Sequence, residues 1–115
     1  MLNKKYRLKK RKTFNYIYRK GRSYNGECVS LVFCYARGIN IKVGFSASKK
    51  VGNSVVRHRA LRLMREAVRP FLNNMAVNHN YIFIAKEGIA DKPLDEIKKC
   101  VHNVLLKAGL ITNGN

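Results

Sequence analysis

The sequence predicts a single-domain α+β sandwich, in which helices pack on a small sheet and the elements follow the order αββαβα. Short runs rich in β-branched and aromatic residues predict three strands, and apolar residues at helical spacing predict three helices. A chain of 115 residues suits one compact domain with a modest core. We therefore treat residues 1–115 as one domain and expect its basic arm, residues 1–12, to be mobile.

The strands are predicted from residue type and alternation. Residues 28–35 read CVSLVFCY, a run too short for a typical helix, and residues 41–47 (IKVGFSA) alternate apolar with small or polar positions. The loop between them, residues 36–40, contains Gly38 and predicts a hairpin. Residues 81–85 (YIFIA) predict a third, buried strand.

The first and last helices are predicted from their termini and their apolar spacing. Thr13 is expected to cap a short helix that reaches about Lys20, with Gly21 as its stop. Its apolar positions are Phe14, Ile17 and Tyr18. The last helix is expected to begin within residues 91–95 and to end at Gly109.

The middle helix is the longest and separates its residues most clearly into two faces. Asn53 follows a basic turn and is expected to cap a helix that reaches about Asn73, with Pro70 kinking or shortening its end. At about 100° per residue, one arc is apolar: Val56, Ala60, Leu63, Met64, Ala67 and Phe71. The opposite arc holds Arg62, Arg65, Arg69 and His58, with Arg59 at its edge and Arg57 near the apolar border.

The charge of the chain points to a polyanionic partner. The sequence has 24 Lys and Arg against 6 Asp and Glu, a net charge of +18. Residues 1–69 hold 19 of the basic residues and only Glu27 and Glu66, whereas residues 70–115 have a net charge of +1. Nucleic acid fits this asymmetry, because each neutralised phosphate releases counterions. The alternatives for this charge are a generic solubility charge or an anionic membrane surface. For the middle helix the alternative is a solvated basic face, but such faces usually interleave Glu and this one has only Glu66.

Other classes of protein and site find little support in the sequence. No apolar run approaches the roughly 20 residues of a membrane span, and no apolar stretch follows the charged N-terminus, so we expect a cytoplasmic protein without a membrane partner. Three unpaired cysteines and three scattered histidines lack the spacing of a metal site, and we expect reduced, mostly buried thiols. We find no paired carboxylates, Ser/His/Asp set or activated cysteine, and we predict no catalytic residue in the protein.

The middle helix also carries a family resemblance. Residues 49–69, KKVGNSVVRHRALRLMREAVR, resemble the RNR motif of the bacterial ribonuclease P protein subunit, whose pattern runs Lys-Lys-x-Gly-Asn/Lys-Ala-Val-x-Arg-Asn-Arg-x-Lys-Arg. Matching positions are Lys49, Lys50, Gly52, Asn53, Val55, Arg57, Arg59, Arg62 and Arg65. Segments before and after the motif also resemble the family's first helix, second strand and last strand. The chain departs from the motif at His58, where the family has Asn, and at Leu61, where Lys is usual and a charge is lost from the face.

This resemblance implies a fold similar to domain 2 of ribosomal protein S5 and a role in removing the 5′ leader of precursor tRNA. In the family, the RNA subunit is the catalyst and holds the Mg²⁺ ions, and the protein binds that RNA and the leader. The partners implied are the catalytic RNA and precursor tRNA, with no small-molecule substrate. The implied RNA-binding residues are Lys49, Lys50, Asn53, Arg57, His58, Arg59, Arg62, Arg65 and Arg69.

The resemblance further implies a leader-binding cleft between the first helix and the sheet. Phe14 and Tyr18 lie one turn apart and would face this cleft, although both could instead be core aromatics. A third aromatic is expected on the first predicted strand. The ungapped match falls on Val32, and its neighbours Phe33 and Tyr35 remain equal candidates.

Three alternative functions remain at this point. The first is a ribosomal or regulatory RNA-binding protein that uses the same basic helix without a nuclease role. A small basic endonuclease that cuts RNA without an RNA subunit is the second. A DNA-binding module ranks lowest, because the basic helix follows a strand and lacks a helix-turn-helix partner.

Overall fold

The computed structural model describes residues 4–111, which fold into three helices packed on a four-stranded sheet. The elements are α1 (Arg11–Lys20), β1 (Arg22–Tyr24), β2 (Val29–Tyr35), β3 (Ile41–Ser46), α2 (Ser54–Val68), β4 (His79–Ala85) and α3 (Leu94–Ala108). Short 3₁₀ turns occur at Lys4–Tyr6, Lys49–Val51, Arg69–Asn74 and Ile89–Asp91. The predicted α+β class and element order are confirmed, with β1 as an additional short strand.

The sheet order, β1-β2-β4-β3, shows that the predicted hairpin is wrong. β4 lies between β2 and β3, antiparallel to the first and parallel to the second. Both ends of the loop over residues 36–40 form hydrogen bonds with Asn78, which lies just before β4. Ala36 N–H donates to the carbonyl of Asn78 at 2.7 Å, and Asn78 N–H donates to the carbonyl of Asn40 at 2.6 Å. The apolar run of β4 is buried on both faces, which favours a central position.

The two faces of the sheet pack against different helices. One face carries Leu31, Val43 and Phe83 into the main core, which α2 and α3 cover. The other face carries Val32 and Ile82, which pack under Ile17 of α1 in a smaller cluster. Since strand residues alternate between faces, β3 contributes side chains to both sides of the sheet. In the strand order, β3 is also an edge strand.

The helix termini differ from the sequence predictions in one case and agree in the others. Thr13 is not a cap, because α1 begins at Arg11 and Lys10 precedes it without a side-chain capping bond. Asn53 does cap α2, accepting a hydrogen bond from Val56 N–H at 3.0 Å. α2 ends at Val68, and the chain continues through Pro70 as a 3₁₀ turn to Asn74, so the predicted shortening is confirmed.

Part of the basic arm lies along the edge of the sheet. Leu8 N–H donates to the carbonyl of Val43 at 2.9 Å, and Lys42 Nζ donates to Lys5 O at 2.8 Å. These contacts place the segment before α1 beside β3. The mobility of residues 1–12 stays a prediction, and residues 1–3 lie outside the described part of the chain.

The cysteines are unpaired thiols, two of them buried. Cys28 Sγ lies 2.7 Å from Cys100 Sγ, between the start of β2 and α3. Burial, followed by the contact with Cys100, raises the pKa of Cys28 to about 12. Within residues 4–111, no helix has the length and apolar character needed to cross a membrane.

Candidate nucleic-acid interface

Helix α2 is the scaffold of the candidate interface. Its inner side is held by buried Ala60, Met64, Ala67 and Val68, in agreement with the predicted apolar arc. The preceding turn carries exposed Lys49 and Lys50. Gly52 has a left-handed φ of +151°, and a Cβ there would lie 2.7 Å from a methyl of Val56. Glycine is therefore required for the turn that sets the two lysines at the start of α2.

The outer side of α2 presents a group of exposed cations. His58, Arg59 and Arg62 lie together around exposed Val55 and line a shallow depression. Arg69, at the end of the helix, is ion-paired with Glu66 at 2.8 Å. Most of the predicted arginine face is thus open to an anionic partner, while Arg69 already has an acidic neighbour.

One flank of α2 faces the end of β3 and carries Arg57, Leu61 and Arg65 at successive turns. The Nε of Arg57 is buried and has no hydrogen-bond partner among the described residues. An unsatisfied buried donor costs about 1–3 kcal/mol. Leu61, where the family usually has Lys, is half-buried and packs against the core.

Arg65 links this flank to an aromatic ring of the sheet. Its Cζ lies 5.8 Å from the ring centroid of Phe45, within the range of a cation–π contact. Phe45 is in turn stacked on Phe83, with centroids 6.0 Å apart and planes at 22°. The ring therefore contacts both the core, through Phe83, and the basic helix, through Arg65.

A cleft of about 500 Å³ lies beside Phe45, between α1 and the end of β3. Its walls are Lys9, Arg11, Phe14, Asn15, Tyr18, Phe45 and Ser46. Phe14 and Tyr18, the two predicted cleft aromatics, lie side by side with ring centroids 6.5 Å apart. Phe14 rests on the sheet over Gly44, where a Cβ would be only 2.4 Å from its Cζ.

The candidates on β2 do not line the cleft, whereas Phe45 of the edge strand does. Val32 faces α1 and is 7% exposed, so it belongs to the smaller core cluster. Phe33 and Tyr35 are odd-numbered neighbours in the same strand and point to the opposite face. Phe45 also points to that opposite face, where it stacks on Phe83, and it lines the cleft at the edge of the sheet. Its place in the alternating run over residues 41–47 was visible in the sequence, but its distance from α1 was not.

The described residues offer no obvious metal site of their own. Residues 4–111 contain no group of three or more His, Cys, Asp and Glu side chains arranged to hold an ion.

What the arrangement provides is cations on a rigid helix, joined through Arg65 and Phe45 to an aromatic cleft with basic walls. Such a combination suits single-stranded or irregular nucleic acid.

Comparison with known proteins decides the family. The ribonuclease P family model matches residues 2–109. The ribonuclease P protein component of Clostridium botulinum is 37% identical over 108 residues, covering 93% of this chain and 97% of that protein. The corresponding protein of Symbiobacterium thermophilum is 37% identical over 111 residues, covering 96% of each. The chain belongs to the ribonuclease P protein family. As a member of it, the chain is an RNA-binding subunit of an endoribonuclease that acts in tRNA 5′ processing.

Solved ribonuclease P proteins share the fold described above. The Staphylococcus aureus protein superposes with a TM-score of 0.82 at 30% identity, covering 93% of this chain and 98% of that one. The Thermotoga maritima protein superposes with a TM-score of 0.77, covering 88% and 96% of the two chains, and at 20% identity it supports the fold alone. The RNA-binding roles of the individual residues named above stay predictions.

Proposed function

We propose that the chain assists cleavage carried out by the RNA subunit, and that it does so through two joined surfaces. The exposed face of α2, with Lys49 and Lys50 at its start, binds the catalytic RNA. The cleft between α1 and β3 holds the 5′ leader of precursor tRNA. The observation that carries this proposal is the contact between Arg65 and Phe45, which makes the basic helix and the aromatic cleft one continuous surface.

Each surface has a distinct physical task. Arginine forks on α2 donate paired hydrogen bonds to phosphate oxygens and do not require a particular base. Rings in the cleft stack on bases with little sequence preference, at about 1–3 kcal/mol per base. Because mature tRNA lacks a leader, this stacking favours precursor over product.

The net charge of +18 supports a second contribution. A cationic protein offsets repulsion between the catalytic RNA and its RNA substrate, and it should lower the Mg²⁺ concentration needed for activity. Under this proposal the Mg²⁺ is held mainly by the RNA subunit, and this chain supplies no catalytic group. The proposed place of action is the bacterial cytoplasm.

The test is cleavage of a 5′-extended precursor tRNA at low Mg²⁺ by protein alone, catalytic RNA alone, or both. We expect a cut at the mature 5′ end only from the mixture. A cut by protein alone would refute the assignment of catalysis to the RNA. Unchanged cleavage on addition of protein would refute the assisting role.

The leader cleft is tested separately by binding to the assembled holoenzyme. Tyr18→Ala and Phe14→Ala should weaken the affinity for precursor tRNA by about fivefold or more and leave the affinity for mature tRNA unchanged. Tyr35→Ala is the matched control, since Tyr35 is an exposed aromatic on the opposite face of the sheet. Equal losses for precursor and mature tRNA would mean that the cleft does not hold the leader.

A further inference from the structure

The outer side of α1 is unlike an ordinary solvated helix face. The helix has no acidic residue, and Ile17 is its one buried side chain. Tyr16 points away from the sheet with 48% of its surface exposed. The exposed half of the ring is available for contact with a partner.

Cations surround this exposed ring. Lys12 and Lys20 lie one turn before and one turn after Tyr16, and side chains four residues apart are neighbours on a helix. Both lysines are exposed. An open ring between two cations, with no acid on the helix, has the chemistry of a stacking site for a base with its flanking phosphates.

This surface is continuous with the cleft already described. At about 100° per residue, Tyr16 lies about 160° around the α1 axis from Tyr18. Asn15 and Arg19 occupy the intervening arc, and both are exposed. A helix is about 10–12 Å wide, so a path across it from Tyr18 to Tyr16 is below about 20 Å. A single strand that leaves the cleft can therefore cross α1 over polar and basic side chains alone.

We propose that the outer face of α1, built from Lys12, Tyr16 and Lys20, is a second stacking surface for single-stranded RNA. It takes the leader nucleotides that lie upstream of those in the cleft. The inference rests on the proposed leader-binding function and extends it, because the helix then contacts the leader on two sides. Long leaders gain a contact that short leaders cannot reach.

The experiment measures the affinity of the holoenzyme for precursor tRNAs whose leaders lengthen one nucleotide at a time. With the unmodified protein, affinity should rise in two stages, first as the cleft fills and then as the strand reaches Tyr16. Tyr16→Ala should abolish the second stage, a loss of about tenfold for long leaders, and leave short leaders unchanged. Tyr16→Phe keeps the ring and should retain both stages.

The lysines are tested through salt dependence. Removal of one phosphate contact to a single strand lowers the slope of log affinity against log salt by about 0.7. Lys12→Ala should reduce the slope by this amount for long leaders only. Lys107→Ala, an exposed lysine on α3, is the matched control and should leave the slope unchanged. Urea unfolding of every variant establishes that the fold is retained.

Three results would overturn the inference, and they are distinguishable. If Tyr16→Ala weakens binding to the catalytic RNA alone, and equally for all leaders, the surface contacts the RNA subunit instead. If it changes nothing while the unmodified protein still prefers precursor to mature tRNA, the ring is only solvated and the leader cleft stands. If the unmodified protein shows no such preference, the proposed cleft fails and this inference fails with it.

Discussion

Replacement of Gly44 by alanine should displace the Phe14 ring into the leader cleft and weaken leader binding. Gly44 lies on the β3 face covered by α1, and the Cβ of an alanine there would be 2.4 Å from Phe14 Cζ and 2.7 Å from Cε1. Carbon atoms at optimal contact are about 3.5–4.0 Å apart. The Phe14 ring must therefore withdraw by more than about 1 Å, and the open direction is into the cleft.

Gly44→Ala should lower both the stability of the fold and the affinity for the leader, by different amounts. An extra methyl in a packed site usually costs about 1–3 kcal/mol of stability. Phe14 is only half-buried, so its ring can move, and we expect a loss near the lower limit, about 1 kcal/mol. The displaced ring occupies space where a base would stack. Leader affinity should thus fall by about 1–3 kcal/mol, roughly 5- to 150-fold, while the affinity for mature tRNA stays constant.

A double-mutant cycle isolates the clash. Urea unfolding and precursor affinity are measured for Gly44→Ala, Phe14→Ala and the double variant. Without the Phe14 ring, the closest atom that remains near the methyl is Leu8 Cδ2 at 3.2 Å, so Gly44→Ala should cost less in the Phe14→Ala background. Additive losses, within about 0.5 kcal/mol, would refute the contact, and an equal loss for mature tRNA would refute its role in leader binding.

Three further predictions concern other parts of the molecule. Asn53→Ala should lower the free energy of unfolding by about 1 kcal/mol, and Asn53→Asp should retain it because a carboxylate also caps the helix; equal losses in urea would contradict this. Arg62→Ala should weaken affinity for the catalytic RNA more than Arg69→Ala, because Arg69 is already paired with Glu66; equal weakening and equal salt slopes would contradict it. The raised pKa of Cys28 keeps its thiol neutral in the folded state, whereas the unfolded thiol ionises near pH 8.5. Stability should therefore fall as the pH rises from about 8.5 towards 12, and the fall should be smaller in Cys28→Ala; an equal fall of the urea midpoint with pH in the two proteins would contradict it.

The sequence alone was sufficient for features that depend on neighbours along one element. The cap at Asn53, the buried side of α2 and its outward arginines follow from residue type and a period of 3.6, which one helix fixes by itself. The start of α1 was misplaced at Thr13 because two adjacent basic residues, Arg11 and Lys12, carry no capping signal. β1 was missed since Arg22–Tyr24 has no apolar alternation, and its partner β2 defines it.

Only the tertiary structure decided which elements meet. An alternating apolar run shows that a segment is a strand, but the pairing of β4 between β2 and β3 depends on burial over the whole sheet. The same long-range packing brings Phe45 of the edge strand to the border of the cleft and places Arg65 beside it. The basic helix was thus determined by local sequence. The cleft was determined by contacts between residues more than 25 positions apart, because side chains from separate elements form its walls.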